Sequence, residues 1–418
     1  MTIIRNTLLS LALASGLGVA QAQDDPIKIG ALATLEGAFT VMGEDGMRGV
    51  EMALQQHGYK AGGREIELIK GSSDASPDSA IQAARKLVEQ DGVDILIGPL
   101  SGSEGLALKD YAKEHPEVTF VNGTSAAQDT TLRDPAENFF RFTTDGAQWQ
   151  AGLGTYAYED KGYRRVATIA EDYSFPYTQV LGFMLEFCQA GGEVVDKFWV
   201  PIGNKDYSTI VASIPPDVDA IYVALGGADA VNFLSQYQQA GGFAPMIAGS
   251  ITVDQTVLST KGQRANYIVG TPSAGPIADN WDNESWDAYV AAYKENFPDA
   301  FNSPSLFNHG YYVSTLAVLE ALDAVEGELS DNHEAFREQL ASTTFQTPTG
   351  PVSLDQNRQA VADIFLTEVA EAEDGTLYNK VVEVIPQVNQ TLGMDYDAFM
   401  AMGPVSRENP DCASLQQQ

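Results

Sequence analysis

Two short segments carry the residues best suited to holding a ligand. LIGPLSGSEGLA sets Ser101, Gly102 and Ser103 between an apolar strand-like run and the start of a helical pattern. FVNGTSA ends the next such run in Asn122, Gly123, Thr124 and Ser125. A helix start has N–H groups without partners inside the helix and the positive end of the dipole, worth about 0.3–1 kcal/mol to an anion. Gly102 allows close approach to the backbone, and the hydroxyls add donors. This set suits a carboxylate or another small anion. The same residue types are the usual helix N-caps, so capping and binding both stand as readings of each loop.

The residues for catalysis are not grouped in this way. GPLSG places its serine one position too late for the GxSxG nucleophile elbow. GGADAV has neither the GxGxxG spacing nor the Lys-Ser/Thr of a phosphate loop. There is no HExxH, no CxxC and no Cys/His cluster, so neither a metal nor a cofactor is expected. His57, His115 and His333 fall in polar helical stretches, and His309 reads as a hydrogen-bonding pocket wall. A binder is expected rather than an enzyme.

The 418 residues carry a formal charge of −33, which opposes nucleic acid and anionic lipid as partners. MTIIRNTLLSLALASGLGVAQAQDD has one early positive charge at Arg5, an apolar run and a small-x-small site at Ala20 and Ala22. It predicts a secretory signal over 1–22, cleaved before Gln23, and hence an exported protein. The run is shorter than the ~20 residues of a spanning helix. The two cysteines, Cys188 and Cys412, are able to pair in an oxidising compartment; the sequence leaves paired and free states open.

The elements that must position these loops follow from periodicity. IKIGALAT, EIELIKGSS, DILIGP and VTFVNG read as strands separated by helical patterns such as SPDSAIQAARKLVEQDG. RVATIAED, VVDKFWVP, AIYVAL and MIAGS repeat the rhythm. The expected class is α/β, with two doubly wound parallel-sheet lobes. Helices near Glu284–Phe297, Ser305–Val325 and His333–Leu340 are expected to return to the first lobe. GPVSLD, ADIFLTEV and LYNKVVEVI would complete the second. Lobe 1 is then 26–143 plus 272–350, and lobe 2 is 144–271 plus 351–385. Crossings fall near Thr143, Thr271 and Pro351, and 386–418 forms a surface-hugging extension.

With that order in place, the chain resembles the substrate-binding proteins of bacterial ABC importers, in the leucine/isoleucine/valine-binding branch of the type I periplasmic binding protein fold. The matching stretches include IKIGALATLEGAFTVMGEDGMRGVEMAL, ELIKGSSDASPDSAIQAARKLVEQDGVDILIGPLSGSEG, FFRFTTD, ATIAEDYSFPYTQ, AIYVALGGADAVNFLSQYQQAG and TPTGPVSLD, over about Ile27 to Ile385. The resemblance implies that Ser101, Gly102, Ser103, Thr124 and Ser125 hold a ligand carboxylate. It makes Phe39 and Met42 pocket walls, brings Tyr173 and Phe175 from lobe 2, and places Phe307 and His309 near a further contact. It also implies hinge closure, a monomer, and delivery to a permease with its ATPase subunits. A soluble sensor component is the alternative. Amino-acid binders of this type carry an acid after the strand written here as MIAGSITVD, where this chain has Ser250. Gly226, Gly227 and Ala228 leave room where an aromatic is usual. An unpaired buried ammonium is costly, so the departure favours an aromatic carboxylate over a branched-chain amino acid.

Overall fold

The computed structural model describes residues 25–260 and 265–416. The expected signal segment lies outside the described residues. Among the described residues, no helix is long and apolar enough to cross a membrane.

The first sheet contains β1 (Ile27–Thr34), β2 (Lys60–Ala61), β3 (Arg64–Ser73), β4 (Ile95–Ile97), β5 (Thr119–Val121) and β6 (Phe139–Phe140), in the order β2-β3-β1-β4-β5-β6. All pairings are parallel except the β2–β3 hairpin. β1 is apolar and buried almost throughout, as a central strand covered on both faces must be. Helix Thr40–Gln56 and helix Leu306–Ala324 pack together over one face. Gly49 permits their close approach, since a Cβ there would lie 2.2 Å from the Asn308 carbonyl oxygen. Helices Pro77–Arg85 and Gly102–Glu114 pack against one another and share an apolar cluster with Leu32 and Phe120 of the sheet.

The second sheet contains β7 (Arg165–Glu171), β8 (Glu193–Val200), β9 (Ala220–Ala224), β10 (Met246–Ala248), β11 (Pro272–Gly275), β12 (Phe345–Thr347), β13 (Gly350–Leu354), β14 (Ala360–Glu371) and β15 (Leu377–Val388). β7 to β11 are parallel, and β12 to β15 join them as antiparallel strands through β14. The chain therefore leaves this sheet after Gly275, later than a crossing near Thr271, and rejoins it at Phe345, ahead of Pro351.

A buried polar network ties the crossovers together. The Arg141 guanidinium is fully buried and donates to Ala127 O (2.6 Å), Thr131 Oγ1 (2.7 Å) and Gln359 Oε1. Gln359 Nε2 in turn donates to Thr143 O (3.1 Å) and Gln148 Oε1 (2.9 Å). Burial lowers the Arg141 pKa to about 10, with Asp145 at 3.7 Å opposing the shift.

The tail is more than a surface layer. β15 runs on to Val388, and Gln390 Nε2 enters the network, donating to Asp145 Oδ2 at 2.9 Å and Gln128 O at 3.0 Å. Arg133 beside the first sheet then holds the Met400 (3.3 Å) and Gly403 (2.9 Å) carbonyls. Arg407 pairs with Asp172 at the end of β7. Finally Cys412 bonds Cys188 on helix Ser174–Gln189, with Cα atoms 5.2 Å apart. The disulfide closes a segment with a sequence separation of 224 residues. The double variant C188A/C412A is expected to lose about 2–4 kcal/mol of stability. Urea unfolding of the variant and of oxidised wild type measures the difference.

Candidate functional site

Four helices begin at one gap between the sheets. Their first turns supply Met42 (helix Thr40–Gln56), Gly102 (helix Gly102–Glu114), Phe175 (helix Ser174–Gln189) and Phe307 (helix Leu306–Ala324) to the wall of a single cavity. That narrow space is also lined by Phe39, Leu100, Thr124, Trp149, Tyr173 and Ile251. Five of these side chains are aromatic: Phe39, Trp149, Tyr173, Phe175 and Phe307. Phe175 meets Trp149 edge-on at 5.4 Å between ring centres, and Tyr173 lies 6.1 Å from both Phe39 and Phe175. The indole of Trp149 is fixed by its N–H donating to Thr144 Oγ1 at 2.8 Å. The only side-chain oxygens among the lining residues are the hydroxyls of Thr124 and Tyr173, and Thr124 Oγ1 is buried without a protein partner.

The lobes touch around this cavity. A Cβ on Gly102 would lie 2.8 Å from the Phe175 Cβ, so only glycine lets the two helix starts meet. Ser103 Oγ is 3.2 Å from Ser174 Oγ across the same seam. Leu306 N–H donates to Asp254 Oδ2 at 2.8 Å, bridging the lobes on another side.

Of the residues singled out from sequence, Phe39, Met42, Gly102, Thr124, Tyr173, Phe175 and Phe307 line the cavity, whereas the others lie outside its lining. Ser101 is a capping residue: its hydroxyl donates to Ala75 O at 3.0 Å and accepts from Glu104 N–H, while Ser101 N–H donates to Glu104 Oε2 at 2.8 Å. The Ser125 hydroxyl is buried against helix Gly102–Glu114, where a Cβ on Gly105 would lie 1.8 Å from it. Ser103 serves the seam. Ser250 Oγ accepts from Gln179 Nε2 at 2.6 Å, and its neighbour Ile251 takes the wall position instead. The room left by Gly226 and Gly227 is filled from within: a Cβ on Gly226 would lie 2.6 Å from Met42 Cε, and one on Gly227 would lie 2.7 Å from Ala38 O. His309 belongs to a neighbouring cavity at the crossovers, where Nε2 is 3.1 Å from Thr349 Oγ1.

The two loops do adjoin as expected, because Pro99 O accepts from both Thr124 N–H (3.1 Å) and Ser125 N–H (3.2 Å). Leu100, Trp149 and Ile251 were missed. Trp149 just after the crossover at Thr143, and Ile251 next to Ser250, were the available signals.

Burial governs the charges here. It raises Glu104, whose hydrogen bonds from Ser and Thr hydroxyls and the Ser101 N–H oppose the shift. It raises Glu171, at the end of β7, well above the usual carboxyl range; one oxygen accepts from Gly226 N–H at 2.9 Å and the other has no protein partner. Asp254 is pushed up to about 7 by burial.

The model of the periplasmic binding protein family matches residues 26–376. A Leu/Ile/Val-binding protein homolog from Brucella melitensis is 26% identical over 385 residues, 90% of this chain and 95% of its own. An ABC transporter substrate-binding protein from Sphaerobacter thermophilus shares 32% identity with a TM-score of 0.79, covering 88% of this chain and 99% of that one. A solute binding protein of an ABC transporter from Rhodopseudomonas palustris BisB5, solved in complex with 3,4-dihydroxy benzoic acid, has a similar fold. Its TM-score is 0.79 at 24% identity, over 88% of this chain and 99% of its own.

Two outcomes follow from this geometry. Gly102→Ala places a methyl in the seam and is expected to oppose closure by about 1–3 kcal/mol. Calorimetry should show this as weaker ligand binding, with the thermal midpoint of the ligand-free protein retained. His309 is held neutral by burial, its pKa lowered to about 3. A depressed pKa contributes stability that is present above the ordinary value of 6.5 and lost as pH falls through 3. The stability difference between wild type and H309Q should therefore shrink between pH 6.5 and 3, read from urea midpoints across that range.

Proposed function

The chain belongs to the periplasmic binding protein family, and from that premise we propose that it captures a small aromatic carboxylate between its lobes. It is exported by its signal segment, acts as a monomer, and hands the solute to the permease of an ABC importer driven by separate ATPase subunits. The observation that carries this reading is one cavity with five aromatic walls and four helix starts. The rings bury an apolar body, and the first-turn N–H groups and dipole ends meet a negative charge.

The same cavity is poorly suited to an α-amino acid. None of its lining residues is acidic, and a desolvated ammonium without a partner costs several kcal/mol. The neighbour solved with a dihydroxybenzoic acid supports the aromatic class, while the Brucella relative's name keeps a branched-chain amino acid as the competing ligand. Glu171, with one unpartnered oxygen, is the group that would serve an ammonium if the lobes rearranged.

The family's mode of action fits hinge closure. Lobe 1 offers Gly102 and Thr124 first; lobe 2 then brings Tyr173, Phe175 and Ile251 over the solute. The extent of closure is set by the ligand's differential affinity for the closed state. Isothermal titration with benzoate, 4-hydroxybenzoate and leucine tests the reading. Binding of at least one aromatic acid, with leucine at least ~100-fold weaker, is expected. Tight leucine binding with no heat from the aromatic acids would overturn it.

A further inference from the structure

One helix start at the seam is occupied by the protein itself. Helix Leu306–Ala324, which packs with helix Thr40–Gln56 on the first sheet, receives two carboxylates at adjacent backbone N–H groups. Asp45, from helix Thr40–Gln56, accepts from Ser305 N–H at 3.2 Å and from the Ser305 hydroxyl at 2.5 Å. Asp254, which follows β10 of the second sheet, accepts from Leu306 N–H at 2.8 Å. This second contact joins the two halves and cannot survive their separation. The other Asp254 oxygen accepts from Thr256 N–H at 3.0 Å and from its hydroxyl at 2.7 Å, so the carboxyl is held in place from its own side of the seam.

The two acids are not equivalent. Asp45 pairs with Arg48 at 3.0 Å and accepts from the Tyr293 hydroxyl at 2.6 Å. Asp254 is 2% exposed, and the donors that reach it are all uncharged. The ionised groups around it are acidic. Asp45 lies across the helix start, and Asp279 lies behind Gln255 and Asn379, which both donate to its carboxylate. His309, one turn along the helix, is turned to Thr349 and kept neutral by burial. Closing the lobes therefore takes a carboxylate out of water and sets it beside another, with neutral donors alone to meet it. Desolvation and like charge both favour the protonated acid.

We propose that Asp254 is a proton-linked latch, which holds the lobes together without a solute by engaging the start of helix Leu306–Ala324 and takes up a proton as it does so. Asn379 lines the same small space as Asp254, and its buried Oδ1 has no protein partner, which supplies an acceptor for that proton. Burial pushes the carboxyl from 3.8 up to about 7; the N–H and hydroxyl donors oppose the shift and the Asp45 charge adds to it. Once the seam opens to water the ordinary value returns. The closed form then carries a proton that the open form lacks between pH 3.8 and 7, so closure strengthens as pH falls through 7 and gains nothing more below 3.8. The inference rests on the hinge closure read above, and on no particular solute.

Small-angle X-ray scattering of the solute-free full chain, from about pH 8 to about pH 5, tests it. The closed-to-open ratio of wild type should rise on the order of 100-fold over that range, seen as a falling radius of gyration. Asp254→Asn, which cannot ionise, should stay near the compact low-pH value throughout. Asp254→Ala, which leaves the Leu306 N–H unmet, should be the most open at every pH. A wild-type radius of gyration that does not move, or one that moves in parallel with that of Asp254→Asn, would overturn the latch even if the alanine variant folds poorly. An alanine variant as compact as wild type at low pH would do the same. None of these results bears on which solute is captured, and failure of the aromatic acids to bind would leave the latch standing.

Discussion

A cavity closed by five aromatic rings strips water from whatever it holds, so the charge of a bound ion has to be met by the protein's own dipoles. In this fold that duty falls on backbone rather than side chains. The cations of the chain are few, and Arg141, the most buried of them, is committed to the crossovers. Helix starts are what remain: helices Gly102–Glu114 and Ser174–Gln189 follow β4 and β7 of the two sheets, whereas helix Leu306–Ala324 follows another helix and spends its first N–H on Asp254. The glycine at position 102 lets one of these starts meet Phe175 of the opposite lobe, so the dipoles arrive together with the rings.

The overall acidity of the chain would be expected to repel such a ligand. Burial moderates that conflict. Glu104 and Glu171 both have raised pKa values because desolvation disfavours their charged forms. The acidic surface is left to hydration, and the seam is governed by local donors.

Much of this was legible in the residues. IKIGALAT and AIYVAL could only be buried strands, and SPDSAIQAARKL announced its helix with Ser76 as cap and Pro77 in the first turn, as the Ser79 N–H to Ser76 Oγ bond shows. Phe39, Tyr173, Phe175 and Phe307 came from the resemblance to the family rather than from any local pattern, and Trp149, which no matched position marked, was missed. The hydroxyls were harder. Ser101 with Glu104 three residues on is a capping-box signature readable from sequence, and it outweighs the ligand role in the observed hydrogen bonds. Ser250 was lost to Gln179, 71 residues earlier, and the space at Gly226 to the methyl end of Met42. Those are long-range packing choices that no local pattern encodes. His309 lies on the right helix but faces the crossovers, because Phe307 two residues before it already takes the cavity side.

The route of the tail has a mechanical meaning. Its beginning is a strand of the second lobe, its end is covalently bound to a helix of that lobe, and its middle is gripped by Arg133 of the first. Rotation of the first lobe must either release that grip or drag against a tether with both ends made fast. Part of the work of opening the molecule is therefore done on a segment that never touches the solute, and ligand release inherits that resistance.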